Sequence, residues 1–201
     1  MKKPDNTLFI LQSLICELSK VDRNHHILGS DRAENDVEHS YSVAILCWYL
    51  NDKFKLNLDI AKVLKYALVH DFSEVYAGDV NTFASKKDRE LKVAREARAI
   101  DKLSKELVKF EDFVRLLNGY DTKADDESVF VWTVDKMQAL ILADLDNWRP
   151  YKKINISYTS FEKKHHEQLE VCSYQCQEIF EELLVYCKST YYDRPKTTVV
   201  K

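Results

Sequence analysis

The chain has 201 residues, enough to bury one substantial core without covalent staples. Lys and Arg nearly balance Asp and Glu, leaving a formal net charge of −3, which excludes the broad basic surface of a nucleic-acid binder. Only 3 Gly and 3 Pro interrupt runs rich in Leu, Ala, Glu and Lys, so the composition predicts an all-α fold.

The first helix is expected over residues 7–19, capped near Asn6, with Phe9, Ile10, Leu14 and Leu18 at helical spacing. Its basic start and short apolar run are broken by Glu17, which fits a helix better than an export signal. A polar connector follows, carrying Arg23, His25, His26 and Arg32 around Gly29. The second helix starts at Asn35 or Asp36, because Asn35-x-x-Glu38 has capping-box spacing, and places His39 in its first turn. Asp59 caps a third helix whose apolar residues run directly into His70-Asp71, with Gly78 turning the chain before Asp79.

Residues 85–109 alternate charges around Leu91, Ala94, Ala97 and Leu103, the pattern of a surface helix from which Lys86 or Lys87 can reach a neighbouring site. A shorter helix, 110–118, is expected to end at Gly119 in a left-handed cap. After an acidic loop comes a strongly apolar helix with one conspicuous charge, Asp135, on its inner face. Pro150 is expected to close it, and Thr159-x-x-Glu162 to cap a last long helix reaching about residue 187. Residues 188–201 read as a frayed tail and 1–201 as a single domain with its core at about 7–187.

Five cysteines, Cys16, Cys47, Cys172, Cys176 and Cys187, show no disulfide framework and read as small buried hydrophobes. A reducing cytoplasm is the expected setting, and no segment is long enough to span a membrane. Cys172 and Cys176 near His165 match no common zinc spacing and read as core.

His39, His70, Asp71 and Asp135 come from three separate helices, each in an apolar context where a polar group needs a partner. An isolated His-Asp pair is better explained by a satisfied core histidine and a capping aspartate; what overturns that reading is the rest of the chain, since a divalent cation satisfies all four groups together. The order His…His-Asp…Asp over successive helices resembles the HD-domain superfamily of metal-dependent phosphohydrolases. Arg32-Ala-Glu-Asn-Asp-Val-Glu-His39 is similar to that family's R-x-E-N-x-x-E-H stretch. His70-Asp-Phe-Ser-Glu-Val-Tyr-Ala-Gly-Asp79 is similar to the H-D-x-x-E-x-x-x-G-D segment of the branch that contains bacterial 5′-deoxynucleotidases.

The resemblance implies a single-domain HD-type helical bundle in which His39, His70, Asp71 and Asp135 ligate one divalent ion, Mn²⁺, Co²⁺, Fe²⁺, Ni²⁺, Zn²⁺ or Mg²⁺. Glu74 and Asp79 would be catalytic, and Arg23, Arg32 and Lys86 would bind substrate. Asn24 stands where the deoxynucleotidase pattern has Trp, and the proline-containing run after the Gly-Asp pair is missing, so sugar discrimination does not carry over. No histidine falls between 70 and 135, whereas the two-metal branches use extra ones there, which favours a single-metal phosphomonoesterase. The implied substrate is a nucleoside or deoxynucleoside 5′-monophosphate, with no nucleic-acid or membrane partner and with a homodimer as the expected assembly. The competing reading is a metal-containing nucleotide-binding or regulatory module without turnover.

Overall fold

The computed structural model describes residues 5–79, 83 and 86–193, with the side chains of residues 86, 89, 192 and 193 excepted. Helix α1 spans Asn6–Leu18 and is capped by Asp5, whose carboxylate accepts from the Thr7 amide. The polar connector is more ordered than its composition suggests. It forms an antiparallel hairpin of β1, Asp22–His26, and β2, Ala33–Asn35, with Asp22 opposite Asn35. The strands lack the apolar alternation that marks a strand in sequence, because the hairpin is held by backbone pairing and by the burial of Arg23 rather than by an apolar face.

Asn35 ends the hairpin and caps α2, Asp36–Phe54, through the full capping box with Glu38. This junction fixes the hairpin beside the first turn of α2. Helix α3, Ile60–Val69, begins at the Asp59 cap and delivers His70 at its carboxyl end; one turn later comes the short α4, Glu74–Ala77, closed at Gly78 with φ 71°. Next come α5, Lys86–Glu106, and α6, Glu111–Asp121. Asp125, with Ser128 completing a capping box, starts α7, Asp126–Leu145. The chain ends its described part with α8, Arg149–Lys153, α9, Tyr158–Leu169, and α10, Gln177–Lys188, followed by a wider helical turn over Ser189–Asp193.

Helices α2, α3 and α7 pack against one another at the centre. Val43, Cys47, Val63, Ala67, Val131 and Val134 are fully buried there, and each of the valines contributes about 1.5–3 kcal/mol by leaving water. Among the described residues the regular structure is therefore helical apart from the hairpin, as the composition predicts.

Four local expectations are corrected. Gly119 does not end α6 but lies inside it, and the reason is steric: a Cβ there would lie 2.6 Å from the Tyr66 hydroxyl. Pro150 does not simply close α7. The turn is made by Asn147 and Trp148 in left-handed conformation, and Pro150 sits in the first turn of α8, where its missing amide proton costs nothing. Ser157, not Thr159, caps α9. The expected last long helix is two helices, broken where the Ser173 amide donates to the Thr133 hydroxyl of α7. All five cysteines are free; Cys47, Cys176 and Cys187 are buried, but Cys16 is exposed. Residues 188–193 continue in helical turns, while the rest of the expected frayed tail, 194–201, lies outside the described residues.

Candidate metal centre and adjoining cleft

His70 Nδ1 lies 2.9 Å from the Ala67 carbonyl. A carbonyl only accepts, so this nitrogen carries the proton and Nε2 presents its lone pair. That Nε2 is buried without a hydrogen bond, although an Asp71 carboxylate oxygen is 3.1 Å away. Two acceptors face each other.

His39 is oriented by a relay. The Gln138 side-chain amide donates to Glu34 Oε1 at 3.1 Å, which turns its oxygen towards His39 Nδ1 at 3.0 Å. Nε2 of His39 then points at Asp135 Oδ1, 3.0 Å away, and at Asp71 Oδ2, 3.6 Å away. Asp135 and Gln138 are one helical turn apart on α7, so a single face supplies both groups. Donor atoms of His39, His70 and Asp135 all lie within 4.8 Å of one another, and all three residues are buried.

The electrostatics favour a cation. Burial and Arg23 oppose protonation of His39, but the Asp135 and Glu34 carboxylates carry it up to about 9. A cation at Nε2 replaces that proton. Burial also opposes ionisation of Asp135, yet Lys136 and His39 hold its carboxyl well below the usual range. Converging imidazole and carboxylate donors, tautomers set by outer partners and a buried unpartnered nitrogen together fit a divalent transition-type ion.

Arg23 from β1 enters the same space. Its guanidinium donates to Asp71 and, at 3.1 Å, to Asp36, and lies 3.8 Å from Asp135. Glu74, one turn beyond Asp71, is bound by Lys92 at 3.1 Å while its other oxygen is buried and unpartnered. Burial and then Asp71 push the Glu74 carboxyl up to about 9, and the same two causes push Asp36 up to about 6.

The structure thus brings His39, His70, Asp71, Asp135, Arg23 and Glu74 together. Asp79 lies at the cleft that opens from this centre, held by Asn24 at 3.3 Å. Arg32 does not join them. It is exposed and bound in bidentate fashion by Glu38, at 3.0 and 2.7 Å, and it lines no part of that cleft. The Lys86 side chain lies outside the described residues. Sequence reasoning missed Glu34, Asp36, Lys92, Lys136 and Gln138, which hold the inner groups in place. Only the capping-box neighbourhood of Glu34 and Asp36, and the spacing of Gln138 three residues past Asp135, offered a signal.

The family model described as HD domain matches residues 15–175. The chain belongs to the HD-domain family. A 5′-deoxynucleotidase of Mus musculus, HDDC2, is 27% identical over 141 residues, which cover 67% of this chain and 69% of that protein. The 5′-deoxynucleotidase of Vibrio cholerae is 32% identical over 126 residues, covering 57% of this chain and 63% of its own length. Among solved structures, a protein described as a predicted metal-dependent phosphohydrolase from Magnetospirillum magnetotacticum superposes with a TM-score of 0.75 over 93% of this chain and 95% of its own. At 21% identity, that likeness speaks for the fold.

Proposed function

We propose that this chain is a metal-dependent phosphomonoesterase that hydrolyses a nucleoside or deoxynucleoside 5′-monophosphate. The observation that carries the reading is the convergence of the His39 and His70 Nε2 atoms on the Asp71 and Asp135 carboxylates beside the Arg23 guanidinium. Names of 5′-deoxynucleotidases among the relatives support the substrate class.

His39, His70, Asp71 and Asp135 would hold one divalent ion; nitrogen and oxygen donors suit Mn²⁺, Fe²⁺, Co²⁺, Ni²⁺ or Zn²⁺. Bound there, such an ion supplies Lewis-acid neutralisation of phosphoryl charge and a water of lowered pKa. Arg23, whose guanidinium also donates to Asp36 and Asp71, pairs with non-bridging phosphate oxygens. Glu74, kept protonated near neutral pH by burial and by Asp71, delivers a proton to the leaving oxygen. Asp79, steadied by Asn24, contacts the sugar at the cleft. The exposed apolar side chains Leu8, Phe9, Tyr41, Ile45, Trp48 and Tyr49 of α1 and α2 support a homodimer, and light scattering at micromolar concentration tests it. No helix among the described residues is long and apolar enough to cross a membrane, and the free cysteines suit the reducing cytoplasm.

The test is phosphate release from a panel of ribo- and deoxynucleoside 5′-monophosphates with each divalent ion. Metal-dependent release from nucleotides is expected. Nucleotide binding with no release under any ion would replace this reading with a regulatory module.

A further inference from the structure

The cleft lined by Arg23 and Asp135 is also lined by a second polar group, carried by α9. His165 and Gln168, one turn apart on α9, line it together with His25 of β1, Tyr151 of α8 and Phe83. His165 is 5% exposed and Gln168 is 5% exposed, an unusual depth for two polar side chains on one turn of a helix. Nδ1 of His165 lies 2.7 Å from Gln168 Oε1, so Nδ1 carries the proton and Nε2 keeps a lone pair. That Nε2 is buried with no partner. Nε2 of His25, on the same cleft, is also buried with no partner.

An unmatched buried acceptor is costly, and one that faces a cleft calls for a donor from a water, an ion or a ligand. The surrounding wall narrows the ligand. The Phe83 ring stands edge-on to Tyr151 at 5.4 Å and to His165 at 6.5 Å between centroids, so the lining is aromatic as well as polar. A planar ring with an N–H donor on its edge matches both features, by stacking or edge contact with the aromatic wall and by a hydrogen bond to Nε2.

We propose that His165, fixed by Gln168, is a specificity-determining residue that accepts a hydrogen bond from the nucleobase of the substrate. This rests on the nucleotide reading above and adds the end of the cleft at which the base lies. The phosphate occupies the Arg23 end and the base the α9 end, so a single cleft reads both ends of a mononucleotide. Because the base contact lies away from the reacting atoms, it acts on binding of the ground state and transition state alike, which places its effect in KM rather than kcat.

The test compares wild type with His165→Leu and His165→Gln on a deoxynucleoside 5′-monophosphate and on 2-deoxyribose 5-phosphate, which lacks the base. Loss of one buried hydrogen bond is expected to raise the ratio of KM for the nucleotide to KM for the sugar phosphate about tenfold in His165→Leu. His165→Gln, which retains an acceptor, is expected to recover part of it. An unchanged ratio, or equal changes for both substrates, would overturn the assignment. If His165→Leu does not fold, Gln168→Leu takes its place, since it removes the group that fixes the imidazole. Calorimetric binding of the unphosphorylated deoxynucleoside provides an arm independent of turnover. Weakened binding in the variant supports the base site even if no phosphate is released, an outcome that would remove the phosphatase reading alone. Equal binding by wild type and variant removes the base site.

Discussion

Nδ1 of His39 lies 3.0 Å from Oε1 of Gln138, a residue 99 positions further along the chain. The contact decides which imidazole nitrogen faces the carboxylates, because the Gln138 amide nitrogen donates to Glu34 and leaves the amide oxygen towards the ring. Gln138→Leu is therefore expected to leave the helices intact while weakening divalent-metal affinity about 10- to 100-fold, the usual effect of losing an outer partner of a ligating histidine. Competition titration with a metallochromic chelator checks it, and wild-type affinity would show that the tautomer is set elsewhere.

Asp135 brings an anionic group from α7 to histidines on α2 and α3. Asp135→Ala is expected to lower metal stoichiometry and phosphate release together. Elemental analysis of the purified variant alongside a phosphate assay measures both; full metal content with full turnover would dismiss the ligand set.

Glu74 has a different expected signature. It accepts from Lys92, and its carboxylate lies within 4.8 Å of those of Asp36 and Asp71, an acidic set separate from the one that His39 and His70 form with Asp135. Glu74→Gln should retain metal and thermal midpoint while kcat falls about 10²- to 10⁴-fold, the range for general acid–base assistance. Loss of metal in this variant would reassign Glu74 to the ligand set.

Gly119 is a prediction about packing alone. Ala has the higher helix propensity, yet its Cβ would meet the Tyr66 hydroxyl at 2.6 Å, and Tyr66 is buried and donates to Asp125, the cap of α7. Overpacking of this kind costs about 1–3 kcal/mol, more than the helix gains. Gly119→Ala is expected to lower the thermal midpoint by several degrees; an unchanged or higher midpoint in calorimetry would show that Tyr66 yields freely.

Burial depresses His165 to about 4 in the folded chain, against about 6.5 when unfolded. Between these values the unfolded chain binds the extra proton, so folding stability falls as pH drops from 7 towards 4 and is retained above. The loss from this group between pH 7 and pH 5 is about 2 kcal/mol. His165→Leu should flatten the pH dependence of urea unfolding over that interval; an identical slope in both proteins would place the imidazole in contact with water.

Local chemistry is what the amino-acid sequence determined by itself. Capping boxes and apolar periodicity operate within one or two helical turns, so the starts of α2 and α3, the helical class and the placing of His39, His70 and Asp135 on separate elements were all legible. The Thr159 cap and the unbroken last helix failed, because Ser157 and the Ser173–Thr133 bond compete with the same local signals. What the tertiary structure alone decided are the partnerships across the chain. Glu34 with Gln138, Arg23 with Asp36 and Asp71, and Lys92 with Glu74 join residues whose separations carry no period. The same holds for His165, which reads as core in its helix and meets the cleft of Arg23 only because α9 folds back against it. A side chain's neighbours along a helix are fixed by 3.6 residues per turn, whereas its neighbours across the core are fixed by how whole helices pack, and no short window of sequence contains that information.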